Sequence, residues 1–134
     1  MTKLSDDKIT TLVKQTNLPH LCYLKTCGDN IYQTNRDANT VTCFMIKGEK
    51  LWEFNDVSVL QYPWGVTLDN NFNVCVTSCA SNTIVVLEPD GRKGRQLTSS
   101  SDGFSCPPGI YFDTSKNSLL VTNYRGPAFL FHMS

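Results

Sequence analysis

"PWGVTLDNNFNVCVTS", residues 63–78, decides how this chain is read, because "PPGIYFDTSKNSLLVTN", residues 107–123, says nearly the same thing. Both run Pro, one variable residue, Gly, a β-branched residue, two variable positions, Asp, a polar turn, an apolar run, Thr and a small polar residue. Pro63 and Pro107 stand 44 residues apart, and a further step of 44 backwards reaches Pro19. Two more series keep time with the prolines. One is "NIYQTN" (30–35), "NVCVTS" (73–78) and "SLLVTN" (118–123); the other is "NTVTCFMIKGEK" (39–50), "NTIVVLEPDGRK" (82–93) and "GPAFLFHMS" (126–134). A period of roughly 40–45 residues is that of a four-stranded propeller blade, whereas ankyrin and tetratricopeptide units are shorter and helical.

Within a repeat the composition is that of strands. "GVTLD" alternates apolar and polar positions, and "NVCVTS" and "NTIVVLE" are β-branched runs bounded by Asn, Ser and Pro. "EPDG" (88–91) is a turn, since Pro presets φ and Asp-Gly tolerates the tight end. The middle repeat therefore predicts strands a to d near 65–69, 73–78, 83–88 and 95–98. Asp69 and Asp113 close strand a and are expected to accept hydrogen bonds from turn amides. The chain divides into a lead-in over 1–17, read as the outer strand of a preceding blade, blades over 18–61 and 62–105, and a terminal partial blade over 106–134. The fold class is all-β, a partial propeller of about three blades with four-stranded antiparallel sheets.

Bulk properties narrow the function. The 134 residues are 40% hydrophobic and 18% charged, with formal net charge +0. Such a chain is globular, and it lacks the basic surplus that grips nucleic acid or anionic lipid non-specifically. No apolar leader, membrane-length apolar run or Asn-x-Ser/Thr sequon is visible, so a cytoplasmic protein without membrane contact is expected. The 6 cysteines are expected to be free thiols in that compartment.

The pattern P-x-G-(I/V)-x-(L/F)-D, N-(V/L)-x-V-T and N-T-(I/V) resembles the NHL repeat. The wording of residues 63–91 is most similar to the C-terminal propeller of tripartite-motif proteins, and the likeness extends over 18–134. The first repeat departs most, as "PHLCYLKTCGDN" lacks the Gly and the Asp. The resemblance implies a closed propeller of six blades, about 260 residues at this period. This chain supplies about half of that, so it is expected to be part of a larger protein, to form an open arc, or to self-associate into a complete ring. The family's RING carries ubiquitin ligase activity, and the cysteine and histidine spacing here cannot build one. The resemblance therefore implies a recognition module that recruits a protein target. A single-stranded RNA-binding propeller and a fragment of a lactonase-like hydrolase are the alternatives.

In the family the d–a and b–c loops line the ligand face. Carried over by position, that face holds His20, Arg36, Trp64, Tyr124 and Arg125 as partner-binding candidates. Aromatic and arginine side chains dominate protein interfaces and also stack on unpaired RNA bases. Competing readings stand beside them. Trp64 also suits packing between blades, Arg36 beside Asp37 also suits a weak surface pair, and Tyr62 next to Pro63 reads as packing. "GRKGR" (91–95) reads as a solvated turn on the opposite face. No triad context, phosphate loop or zinc-protease motif is present, and the expectation is a chain that is not an enzyme, with no metal and no cofactor.

Overall fold

The computed structural model describes residues 22–98, 109–122 and 128–133. The lead-in 1–17 lies outside them, as do His20, Tyr124 and Arg125.

Eleven strands are described and no helix. The first sheet comprises β1 (Cys22–Cys27), β2 (Asn30–Asn35), β3 (Thr40–Met45) and β4 (Lys50–Phe54). The second comprises β5 (Pro63–Leu68), β6 (Val74–Ser78), β7 (Thr83–Leu87) and β8 (Gly94–Gln96). The third holds β9 (Ile110–Asp113), β10 (Ser118–Val121) and β11 (Phe129–His132). Every sheet is an antiparallel meander in chain order. The middle repeat thus forms its strands within two residues of the positions its sequence predicts.

The repeated letters have physical partners. Gly65 N–H donates to Thr77 Oγ1 at 2.8 Å, and Gly109 N–H donates to Thr122 Oγ1 at 3.0 Å. The Gly at the start of strand a and the Thr at the end of strand b are one hydrogen-bonded unit, repeated in the second and third blades. A Cβ on Gly109 would stand 2.6 Å from the Thr122 hydroxyl, so a larger residue would push this pair apart. Asp69 Oδ1 accepts from the N–H of Asn71 at 2.8 Å and of Asn73 at 2.9 Å. Asp113 Oδ1 accepts from Ser115 N–H at 3.0 Å and from its hydroxyl at 2.7 Å. Both carboxylates hold the a–b turn, as expected from their place in the repeat.

The middle sheet is covered on both sides, which is why "VCVTS" and "TIVVL" are buried at every position instead of alternating. Val66, Leu68, Val74, Val76, Val85 and Leu87 pack against Tyr32, Val41, Cys43 and Phe54 of the first sheet. Cys75, Ile84 and Val86 pack against Phe112, Leu119 and Val121 of the third. Burial of such side chains stabilises by about 1.5–3 kcal/mol each, so the two inter-sheet seams hold the arc together. Burial also pushes the Cys75 thiol up to about 12. The first strands lie innermost in sequence of contacts, with β5 touching β1 and β2 on one side and β9 on the other.

Candidate functional site

Three connections meet beside β5. They are the turn after β2 (residues 36–39), the approach to β5 (Gln61 and Tyr62) and the turn after β6 (residues 79–82). Tyr62 is the hub. Its N–H donates to Asn39 Oδ1 at 2.9 Å, and its carbonyl accepts from Cys79 N–H at 3.0 Å. Next to it, Gln61 N–H donates to Ser78 Oγ at 2.9 Å, and that hydroxyl donates back to the Gln61 carbonyl at 3.0 Å. One residue is thereby clamped between the first sheet and the second.

The clamp holds an unusual backbone. Tyr62 has φ +50°, in the left-handed region where a bulky residue is strained, and its side is 50% exposed although it is aromatic. The residue before a proline is also pushed towards extended conformations. Strain of this kind persists only where surrounding contacts over-determine it, and the four hydrogen bonds above do so.

Arg36 lies on top. Its guanidinium carbon is 5.8 Å from the Tyr62 ring centroid and 5.7 Å from that of Trp64. Cation–π contacts of this reach are worth about 0.5–2 kcal/mol, more as the site loses water. Arg36 Nε is also 3.6 Å from the Asp37 carboxylate, a pair exposed enough to contribute little stability. Trp64 is half-buried, and its carbonyl accepts from the buried Thr34 hydroxyl at 2.8 Å. Asp37, Asn39, Gln61, Tyr62 and Ala80 line a cleft of about 310 Å³ at this spot. A larger cleft of about 770 Å³ lies elsewhere, between the β4 segment around Trp52 and the turn at Gly91.

Of the sequence candidates, Arg36 and Trp64 are brought together; His20, Tyr124 and Arg125 fall outside the described residues. The place of Tyr62 beside Pro63 predicts packing, but the residue is half-exposed, with Arg36 over the ring. A hint was present in its place between two repeats, but the positive φ that turns the ring outward depends on Asn39 and Cys79, which are distant in sequence. Cys79 is disulfide-bonded, so the expectation of free thiols throughout does not hold, while Cys27, Cys43 and Cys75 are free. Among the described residues no group of His, Cys, Asp and Glu side chains is arranged to hold a metal ion.

Three antiparallel meanders stacked face to face, with connections from neighbouring sheets meeting at one end, define a partial β-propeller. Solved structures share it. A catalytically inactive virginiamycin B lyase from Staphylococcus aureus, crystallised with quinupristin, matches with TM-score 0.60 and 21% identity over 82% of this chain and 40% of its own. A streptogramin B lyase matches with TM-score 0.59 and 20% identity over 82% and 39%. A chain of a nidogen/laminin complex matches with TM-score 0.61 and 22% identity over 72% and 36%. This chain therefore spans about two fifths of the length of the structures it matches. No protein-family model and no curated sequence matches it.

At these identities the likeness carries the propeller fold and not the narrower tripartite-motif resemblance. It also corrects one expectation. The chain was expected not to be an enzyme, yet the scaffold it shares is that of a lyase. The missing triad and phosphate-loop motifs lose their weight for a physical reason. A propeller site is assembled from loops of several blades, so no local sequence pattern need announce it.

Proposed function

We propose that the chain is an NHL-type recognition propeller whose Arg36–Tyr62–Trp64 face binds a partner protein. The observation that carries this reading is one arginine stacked over two aromatic rings, one of them held half-exposed on strained backbone between two blades. Aromatic anchors with an arginine are the residue types on which protein interfaces concentrate their energy. Pinning by hydrogen bonds on both sides lowers the ordering cost of association. A chain of similar fold comes from a nidogen/laminin complex, which supports protein partners for this scaffold in general. His20, Tyr124 and Arg125 join the proposal by repeat position, and the tripartite-motif resemblance suggests that the partner is a recruited target.

Arginine and aromatic rings also stack unpaired RNA bases. The net charge of +0 weighs against that second reading. Affinity capture with the full chain separates the two. The Arg36→Ala/Tyr62→Ala variant should lose the partners that wild type holds, while Phe72→Ala, an exposed aromatic outside this cluster, should keep them. Identical partners for all three proteins would refute the proposal. Retention of a single-stranded oligouridylate at low salt, falling as salt rises, would replace the protein partner with RNA.

A further inference from the structure

The three blades meet a second time, at the far end of β5 from Tyr62. Tyr62 precedes that strand and Asp69 follows it, so the two places lie about 20 Å apart along the chain. Where β1, β5 and β9 end, residues of all three sheets line a cavity of about 340 Å³. A space of that order suits a small molecule. Its walls are tied across blades. Asn70 Nδ2 donates to the Thr114 carbonyl at 3.3 Å and to Asn117 Oδ1 at 3.1 Å, which holds the a–b turn of the second blade against that of the third. Phe72 stands on the same turn with φ +63°, and the residue is 59% exposed. A bulky residue is strained in that region. Buried Leu68 and Phe112 supply further apolar lining.

Two polar groups of this lining are uncommitted. Lys25 is half-buried, yet its ammonium has no hydrogen bond and no ion pair among the described residues. Strand alternation puts it on the face of β1 that carries Cys27, and Cys27 packs against the core between the first two sheets. Thr67 is buried, and its hydroxyl too has no hydrogen-bond partner among the described residues. Asp69 is the carboxylate on the lining, and both of its oxygens are engaged. Oδ1 accepts from the N–H of Asn71 and of Asn73, and Oδ2 accepts from the Asn73 side-chain amide at 2.9 Å. What the cavity offers a visitor is therefore a positive charge, a hydroxyl and aromatic surface. A partly dehydrated ammonium without a counter-ion favours an anion beside it.

We propose that this cavity binds a small aromatic carboxylic acid, its carboxylate on the Lys25 ammonium and the Thr67 hydroxyl and its ring against Phe72, Leu68 and Phe112. The charged contact selects the acid, since charge-assisted hydrogen bonds are about twice as strong as neutral ones. The phenylalanines select a flat apolar body. Nothing in this site depends on the Arg36–Tyr62 face or on a protein partner there, because the two sites use opposite ends of the blades.

Calorimetric titration of the full chain with 2-naphthoate and with 2-naphthamide is the test, because the amide keeps the shape of the acid and removes its charge. Wild type should bind naphthoate with a Kd below about 1 mM and naphthamide about tenfold more weakly or worse. Lys25→Met keeps the apolar stem and should abolish that preference, with unchanged far-ultraviolet circular dichroism. Lys25→Arg should retain it, which guards against loss through misfolding. Phe72→Ala should weaken both probes alike, since the ring reads the body and not the charge. Backbone amide chemical shifts should move around Lys25, Thr67, Asn70 and Phe72 as naphthoate is added. Absence of naphthoate binding to wild type overturns the proposal, as does equal affinity for acid and amide. A preference that survives Lys25→Met overturns it too, and so do shifts centred on Arg36, Tyr62 and Trp64, which would move the acid to the other end of the blades.

Discussion

The second and third blades carry the same motif in different surroundings. In the second, sheets cover both flanks, and the Gly65–Thr77 hydrogen bond is sealed from water. In the third, one flank is open and the equivalent Gly109–Thr122 bond is exposed. Motif and backbone are shared; what differs is the presence of a neighbour. The repeat therefore specifies a blade, and the energetic worth of each of its letters depends on what packs against it.

Substitutions can break that contrast. Ile84→Ala, in the seam between second and third sheets, should cost about 2–5 kcal/mol in denaturant unfolding. Leu130→Ala on the open flank should stay within about 0.5 kcal/mol, because Leu130 is exposed. Equal losses at both sites would show that the third blade is covered even in the single chain. Next in size, Thr77→Val should cost about 1–3 kcal/mol, because Gly65 N–H is left buried without its acceptor. Thr122→Val should cost less, since water can replace the lost hydroxyl at Gly109. Urea titrations of the pair read the difference directly.

Gly91→Ala tests how the outer rims of the first two blades lock. Gly91 has φ +71°, and a Cβ there would run into the Trp52 ring. A loss of about 1–3 kcal/mol is expected, seen as a lower melting temperature. Unchanged melting would mean that the rim is loose and only the inner strands join the blades.

The smallest effect concerns pH. The Ser115 hydroxyl, helped by the N–H groups of Lys116 and Ser115, holds the Asp113 carboxyl below its ordinary value of 3.8. A depressed folded value means that the carboxylate form contributes stability above 3.8 and loses it as pH falls through the folded value. Asp113→Asn should therefore melt slightly below wild type near neutral pH, and the two should converge in acid once pH has fallen through the lowered folded value and the wild-type carboxyl is protonated. A gap that persists in acid would assign the turn's worth to shape and not to charge.

Much of the fold was legible because it is local. The 44-residue spacing of prolines, the β-branched runs and the turn at 88–91 reflect φ preferences and strand patterning that each segment carries alone. Arg36 and Trp64 could be placed on one face by counting repeats. Tyr62 could not, since its outward ring depends on Asn39, 23 residues earlier, and on the turn at Cys79. Nor could the sequence tell catalysis from recognition, because loops from separate blades meet only after the sheets have stacked.

The chain's own letters settled strand, turn and period, for these are decided by neighbouring residues and by the sterics of single dihedrals. Packing decided the rest. Whether a valine at one position is core while the leucine at its repeat equivalent is surface depends on whether another sheet lies 10 Å away, about the spacing of stacked sheets. So does the difference between Thr77 and Thr122, and between Cys75, buried in a seam, and Leu120, open on a flank. Burial is a property of the assembly, and the hydrophobic free energy that stabilises this arc is released only where two flanks exclude water together.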